Sequence, residues 1–195
     1  MLTKNTSLLR ERVTHHFTAN TVVQEDGWNP RTQSGGILSC LAGDDDPVDL
    51  NEEQFGIPVM LQRIAAGIFN DLPAEASRVF FAALPGAIER DGKDLSKVCW
   101  QFLAAELRAM HQPPDIQRVI DPVIDGMDAL GSGREWPLAT AYAATAYAAN
   151  AAAYAATAYA AANAAANAAA YAAARLRQRD LLLRLIKEAP CQLQG

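Results

Sequence analysis

The sequence predicts a mainly α fold: a small helical front domain that includes a β-hairpin, then one long Ala-rich helix packing in a close helix–helix pair or bundle. Three observations lead there. Between Phe55 and Leu130 large apolar residues recur at three- and four-residue spacing, which is the mark of amphipathic helices. Between Leu138 and Glu188 there is neither Gly nor Pro. Of the 39 Ala in the chain, 25 lie between Leu138 and Ala174, and Ala is the strongest helix former. The division is placed at 133/134, after the hinge Gly131-Ser132-Gly133. Residues 1–133 form the acidic front and 134–195 the long helix with its Leu/Arg-rich end.

Taken in order, residues 3–17 suit a short helix with Leu8, Leu9 and Val13 on one side. Thr21–Gln24 and Gly36–Leu41 are β-like runs around the turn formers Glu25 to Pro30, giving a hairpin over 21–41. Residues 43–54 form an acidic loop. Pro58 suits the first turn of a helix, because its missing N–H has no partner to lose there. Met60, Leu61, Ile64, Ala65, Ile68 and Phe69 follow at helical spacing until Pro73. A helix over 74–84 ends at Pro85-Gly86. Asp94 is placed as the N-cap of a helix reaching His111. After Pro113-Pro114 the positions Ile116, Val119, Ile120, Val123, Met127 and Leu130 line one helical face, with Pro122 expected to kink or divide it. The tail reads as one helix over 138–188, roughly 75 Å at about 1.5 Å per residue.

Charge narrows the function classes. The chain of 195 residues has a net charge of −5, and its first 137 residues hold 12 basic against 20 acidic side chains. That balance opposes a phosphate-backbone partner. The basic residues Arg175, Arg177, Arg179, Arg184 and Lys187 sit at the end of the tail helix, where cations face the negative end of its dipole. Cys40, Cys99 and Cys191 are widely spaced and form no Cys-x-x-Cys pair, so reduced thiols in a cytoplasmic protein are expected. The first 20 residues carry charges throughout, unlike a signal peptide. The uncharged window is long enough to span a membrane, but it holds a single Leu and eleven Tyr, Thr and Asn. Insertion is driven by Leu, Ile, Phe and Val, so no membrane partner is expected.

Inside the tail, Thr-Ala-Tyr-Ala-Ala begins at 140, 145 and 157, and several Tyr are 12 residues apart. A step of 12 turns a helix by about 120°, so the repeat lines no single face. Ala141, Ala144, Ala148, Ala151, Ala155, Ala158, Ala162, Ala166, Ala169 and Ala173 do line one, at alternating spacings of three and four. Leu176 and Leu183 extend this face, and Leu182 and Ile186 lie beside its end. This is a coiled-coil-like seam built from the smallest side chain, and it lets two backbones approach to the short end of the usual 8–10 Å spacing. Such a helix needs a neighbour: a second copy or another helical protein.

The chemistry-bearing residues are sparse. His15 and His16 are adjacent and point two ways on a helix. Asp44, Asp46, Asp49 and Glu53 are the candidate ligands for a divalent cation, although they lack the calcium-loop spacing. No Gly-rich phosphate loop, nucleophile elbow or zinc-protease helix occurs in the sequence. No catalytic residue, cofactor or small-molecule substrate is expected. Trp28, on a loop, is the candidate contact for a partner. Thr140, Thr145 and Thr157 rotate off any common face and so oppose ice binding.

The segments Phe55-Gly56-Ile57-Pro58 and Ile68-Phe69-Asn70-Asp71-Leu72-Pro73, with Pro85 and an Ala/Tyr tail closing in Arg175-Leu176-Arg177-Gln178-Arg179, carry a resemblance. The chain is similar to uncharacterised bacterial and phage proteins with a short helical front and an Ala/Tyr-repeat tail. The resemblance implies a phage or mobile-element setting and transfers no catalytic residue. The leading expectation is a non-enzymatic assembly protein that self-associates through the Ala seam. A phage or bacterial binder that inhibits a host or rival protein through the acidic front comes second. A divalent-ion-dependent protein or enzyme using the acidic loop comes third.

Overall fold

The computed structural model describes residues 1–24, 27–110, 113–136 and 167–192, with the backbone alone at 115 and 167–169. Among them are eight helices and one two-stranded sheet. The helices are α1 (Thr6–Ala19), α2 (Ile37–Ala42), α3 (Pro47–Phe55), α4 (Val59–Asp71), α5 (Ala74–Ile88), α6 (Val98–Ala109), α7 (Pro114–Gly131) and α8 (Asn167–Glu188). The strands β1 (Trp28–Asn29) and β2 (Ser34–Gly35) pair antiparallel. By contacts the chain forms two compact units, Met1–Val98 with Ala172–Gly195, and Cys99–Tyr171. The end of the tail thus belongs with the front of the chain, a division that differs from one cut at 133/134.

In the first unit, Leu9 and Val13 of α1, Leu41 of α2, Phe55 of α3, Leu61 and Phe69 of α4, and Phe80 and Phe81 of α5 are buried. Leu8, expected beside Leu9, is 37% exposed. Each large side chain withdrawn from water contributes roughly 1.5–3 kcal/mol, so this core carries most of the unit's stability. The hairpin predicted over 21–41 shrinks to β1 and β2, and Gly36–Leu41 is largely the helix α2. A short continuous apolar run does not distinguish a strand from a buried helix; here Ile37, Ser39, Cys40, Leu41 and Ala42 are all buried. Gly43, at φ 74°, ends that helix in the left-handed conformation, which Gly adopts without strain. The acidic loop predicted over 43–54 is a turn only as far as Asp46. From Pro47 it is α3, with Pro at its first position and Asp49 in its first turn, where a carboxylate faces the positive end of the dipole.

Pro85, expected to end a helix, and Pro122, expected to kink or divide one, both lie inside helices, Pro85 within α5 and Pro122 within α7. In α5 the last turn is held by burial of Leu84, Ala87 and Ile88, which offsets the roughly 3 kcal/mol a helix-interior proline costs. In α7 Pro122 is exposed, on the side away from the buried Ile120 and Ile124.

The second unit is built on α6 and α7, which run antiparallel. Ala104 packs with Ile120 and Ile124, flanked by Leu107, Ile116 and Met127. Gln101 Nε2 donates to the Gly131 carbonyl at 3.2 Å, and Arg108 pairs with Asp128. Trp136 lies on Gly126, where any Cβ would overlap the indole. The single continuous helix expected over 138–188 is described only from Asn167 onward; residues 137–166 lie outside the described residues.

Candidate functional site

The C-terminal helix is the element on which the functional reading turns. Its Leu-rich end is seated in the first unit. Leu182 is 0% exposed and Ile186, one turn later, 2%. Ile186 lines a small apolar cavity of about 20 Å³ with Leu9, Leu84, Ile88 and Leu95. Arg175 of α8 forms an ion pair with Asp71 at the end of α4.

Lys93 closes the seat. It is 2% exposed, and its Nζ donates to the Ala87 carbonyl at 3.1 Å and to the Lys187 carbonyl at 2.7 Å. Those carbonyls belong to the last turns of α5 and α8, where backbone acceptors have no intrahelical partner. One ammonium therefore satisfies two helix ends at once. Burial lowers the Lys93 pKa, and the Glu89 carboxylate, 3.9 Å away, works against that. Beside Lys93 the backbone forms a small pairing: Asp94 N–H donates to the Pro190 carbonyl at 2.8 Å and Gln192 N–H to the Gly92 carbonyl at 2.9 Å. On the other edge Thr3 N–H donates to the Lys93 carbonyl at 2.8 Å.

The seat occupies one face of α8. At about 100° per residue, Leu183, Leu176 and Ala173 lie roughly 100–180° around the helix from Leu182. Ala173 is exposed, and Leu176 and Leu183 are half-buried. Tyr171, in the preceding turn, is 50% exposed. Of the predicted seam, Ala169 falls on the α8 backbone, and Ala141, Ala144, Ala148, Ala151, Ala155, Ala158, Ala162 and Ala166 lie outside the described residues. Leu182 and Ile186, expected beside the end of the seam, are buried in the seat.

A second concavity, an open cleft of about 540 Å³, is lined by Glu11, Arg12, His15, His16, Trp28 and Cys40 among others. His16 is buried, its Nδ1 lies 2.8 Å from Thr21 Oγ1, and its ring meets Trp28 edge-on at 5.8 Å. Burial lowers its pKa, with His15 and Arg12 adding to the effect. Burial pushes the Cys40 thiol up to about 12, against a hydrogen bond to Gly35. At neutral pH it is a thiol, which is a poor nucleophile. Trp28, the predicted partner contact, is half-buried in this wall, and its backbone N–H donates to Asp45 Oδ1 at 2.6 Å.

The candidate cation ligands Asp44, Asp46, Asp49 and Glu53 are exposed. Asp44 Oδ1 accepts from the Asp46 N–H at 2.9 Å, shaping the turn into α3. Among the described residues no three His, Cys, Asp or Glu side chains come together as a metal site. Asp94, predicted to cap α6, accepts from the Ser96 N–H at 3.0 Å and from the Met1 ammonium at 3.4 Å, two residues and more ahead of the helix. No helix among the described residues is long and apolar enough to cross a membrane. Comparison with protein-family models, curated proteins and solved structures finds no match.

Sequence reasoning missed Lys93, Asp71 and Gln24. Gln24 Nε2 donates to the carbonyls of Phe69, Asn70 and Leu72 at 2.6–3.1 Å, closing the end of α4. Lys93 joins the nearby Ala87 carbonyl to the distant Lys187 carbonyl, and Asp71 and Gln24 find partners 104 and 45–48 residues away, so no local spacing marks them.

Proposed function

We propose that this chain is a non-enzymatic interaction protein that self-associates through the Ala seam of its C-terminal helix. The observation that carries this reading is the separation of faces on α8. Seating Leu182 and Ile186 uses one side of the helix, while Ala173, Leu176 and Leu183 lie on the other and stay wholly or partly open. An Ala face buries little area per residue on its own, and becomes stable by close approach to a second helix. Like helix dipoles side by side repel, so the pair is antiparallel.

Light scattering on the purified full chain tests this. A mass of two or more chains at tens of micromolar is the expected result, and a clean monomer there overturns it. Ala148→Leu with Ala155→Leu places bulk in the seam and should reduce the assembly; unchanged mass would count against this register.

A further inference from the structure

Within the first unit, residues 21–24 and 27–36 fold over the junction of α1 and α2, and their contacts converge on His16. Thr21 N–H donates to the His16 carbonyl at 3.1 Å, and Thr21 Oγ1 lies 2.8 Å from His16 Nδ1. The His16 ring meets Trp28 of β1 edge-on, and Trp28 pairs with Gly35 of β2. Gly35 in turn gives its N–H to the Thr21 carbonyl at 3.1 Å. This flap covers Cys40, which is 0% exposed and whose Sγ donates to the Gly35 carbonyl at 3.3 Å. The flap is anchored separately at its two ends, by Gln24 on the end of α4 and by its continuation into α2. His16 is the side chain of α1 that holds the part between.

The His16 ring is 5% exposed and borders the open cleft. On its own helix it faces Arg12 and His15, the latter with ring centroids 5.0 Å apart. Glu11 lines the same cleft and is exposed. From α5, Arg78 is engaged over the Phe17 ring. From α2 comes the neutral Cys40 thiol, and from the flap a hydroxyl and an indole. Asp45 is taken up by the Trp28 backbone N–H. No carboxylate pairs with His16 among the described residues. The end of the α1 dipole favours a cation there. A charge withdrawn from water without a counter-ion is costly, however, and two like charges add to that cost, so the neutral ring prevails. For a protonated ring, the cleft it borders is the way back to water. We propose that His16 is an acid-operated latch: on protonation its ring turns into the cleft, the Trp28 hairpin lifts from α1, and the Cys40 thiol is uncovered while the helical core stays folded.

Thiol labelling of the full-length chain tests the latch. With Cys99→Ala and Cys191→Ser, Cys40 is the one remaining thiol, and a dipyridyl disulfide labels it even in acid. The labelling rate, divided at each pH by that of free cysteine, reports how often the thiol is uncovered. Below 6.5, the ordinary histidine value, that ratio is expected to rise about tenfold per pH unit, the slope of one proton, and to level off below the lowered pKa of His16. His15→Gln removes one like charge, so it should keep the rise and move it to higher pH. His16→Gln should hold labelling slow throughout. A ratio that stays flat in the parent chain, or that rises equally in His16→Gln, overturns the latch. Should His16→Gln not fold, hydrogen exchange of the unsubstituted chain decides. Corrected for intrinsic rates, the Val23 and Gly35 amides, bonded across the flap, are expected to lose protection on acidification while those of Phe69 in α4 and Phe80 in α5 keep theirs. Equal retention or equal loss at the two places overturns it.

Discussion

Replacing Lys93 by Met keeps the packing of its stem and removes its donors. The Ala87 and Lys187 carbonyls then lose a buried partner, a penalty of about 1–3 kcal/mol for an acceptor left unpaired. Lys93→Met is accordingly expected to lower the unfolding free energy in urea by roughly that amount, with hydrogen exchange speeding up in α8. His16 gives a pH dependence whose sign is fixed. Its folded pKa is lowered from 6.5 by burial, then by His15 and Arg12, so the native state favours the neutral imidazole. The resulting stability is fully present above pH 6.5 and is lost as pH falls through the lowered value. Urea titrations from pH 7.5 downward should show the loss, and His16→Gln should flatten it; an unchanged slope in the variant would assign the effect elsewhere. Neither residue was legible beforehand. His16 read only as one of two adjacent histidines pointing two ways on a helix, because its burial depends on Thr21 and Trp28 folding back over α1. Lys93 sits in an Asp-Gly-Lys-Asp turn that looks solvent-bound until the end of the chain covers it.

Between the elements, the seating of α8 is the contact most open to direct measurement. Leu182→Ala removes a fully buried side chain, and changes of this type cost about 2–5 kcal/mol. Val79→Ala, at a position 50% exposed on α5, should stay within about 0.5 kcal/mol. Thermal or urea unfolding of both variants measures the contrast, and equal losses would mean that α8 contributes nothing to the first unit. The helices α4, α6 and α7 were readable from spacing, since each buries one stripe against a neighbour. The helix α2 was not, because burial on every side erases the period that distinguishes helix from strand. Pro85 misled for a related reason: a breaker marks a local preference, and burial of Leu84, Ala87 and Ile88 outweighs it. Of the predicted Ala face only Ala173 has a described side chain, and it lies on the side of α8 away from Leu182 and Ile186. Which Leu the front of the chain buries was not legible, because Leu176, Leu182 and Leu183 look alike in sequence.

At the scale of the whole molecule, the mainly α fold was readable, whereas the partition into units was not. Composition changes sharply near residue 138, but contacts ignore that step and join Ala172–Gly195 to Met1–Val98. A self-associating chain of this kind should also melt at a temperature that rises with protein concentration, because assembly binds the folded state alone; this is the thermal counterpart of the mass measurement. The extended segment Gly92–Asp94 carries a mechanical consequence. It pairs on one edge with Met1–Thr3 and on the other with Pro190–Gln192. A pulling force applied at residues 1 and 192 would cross those few hydrogen bonds directly. The helical core would bear little of the load until they part.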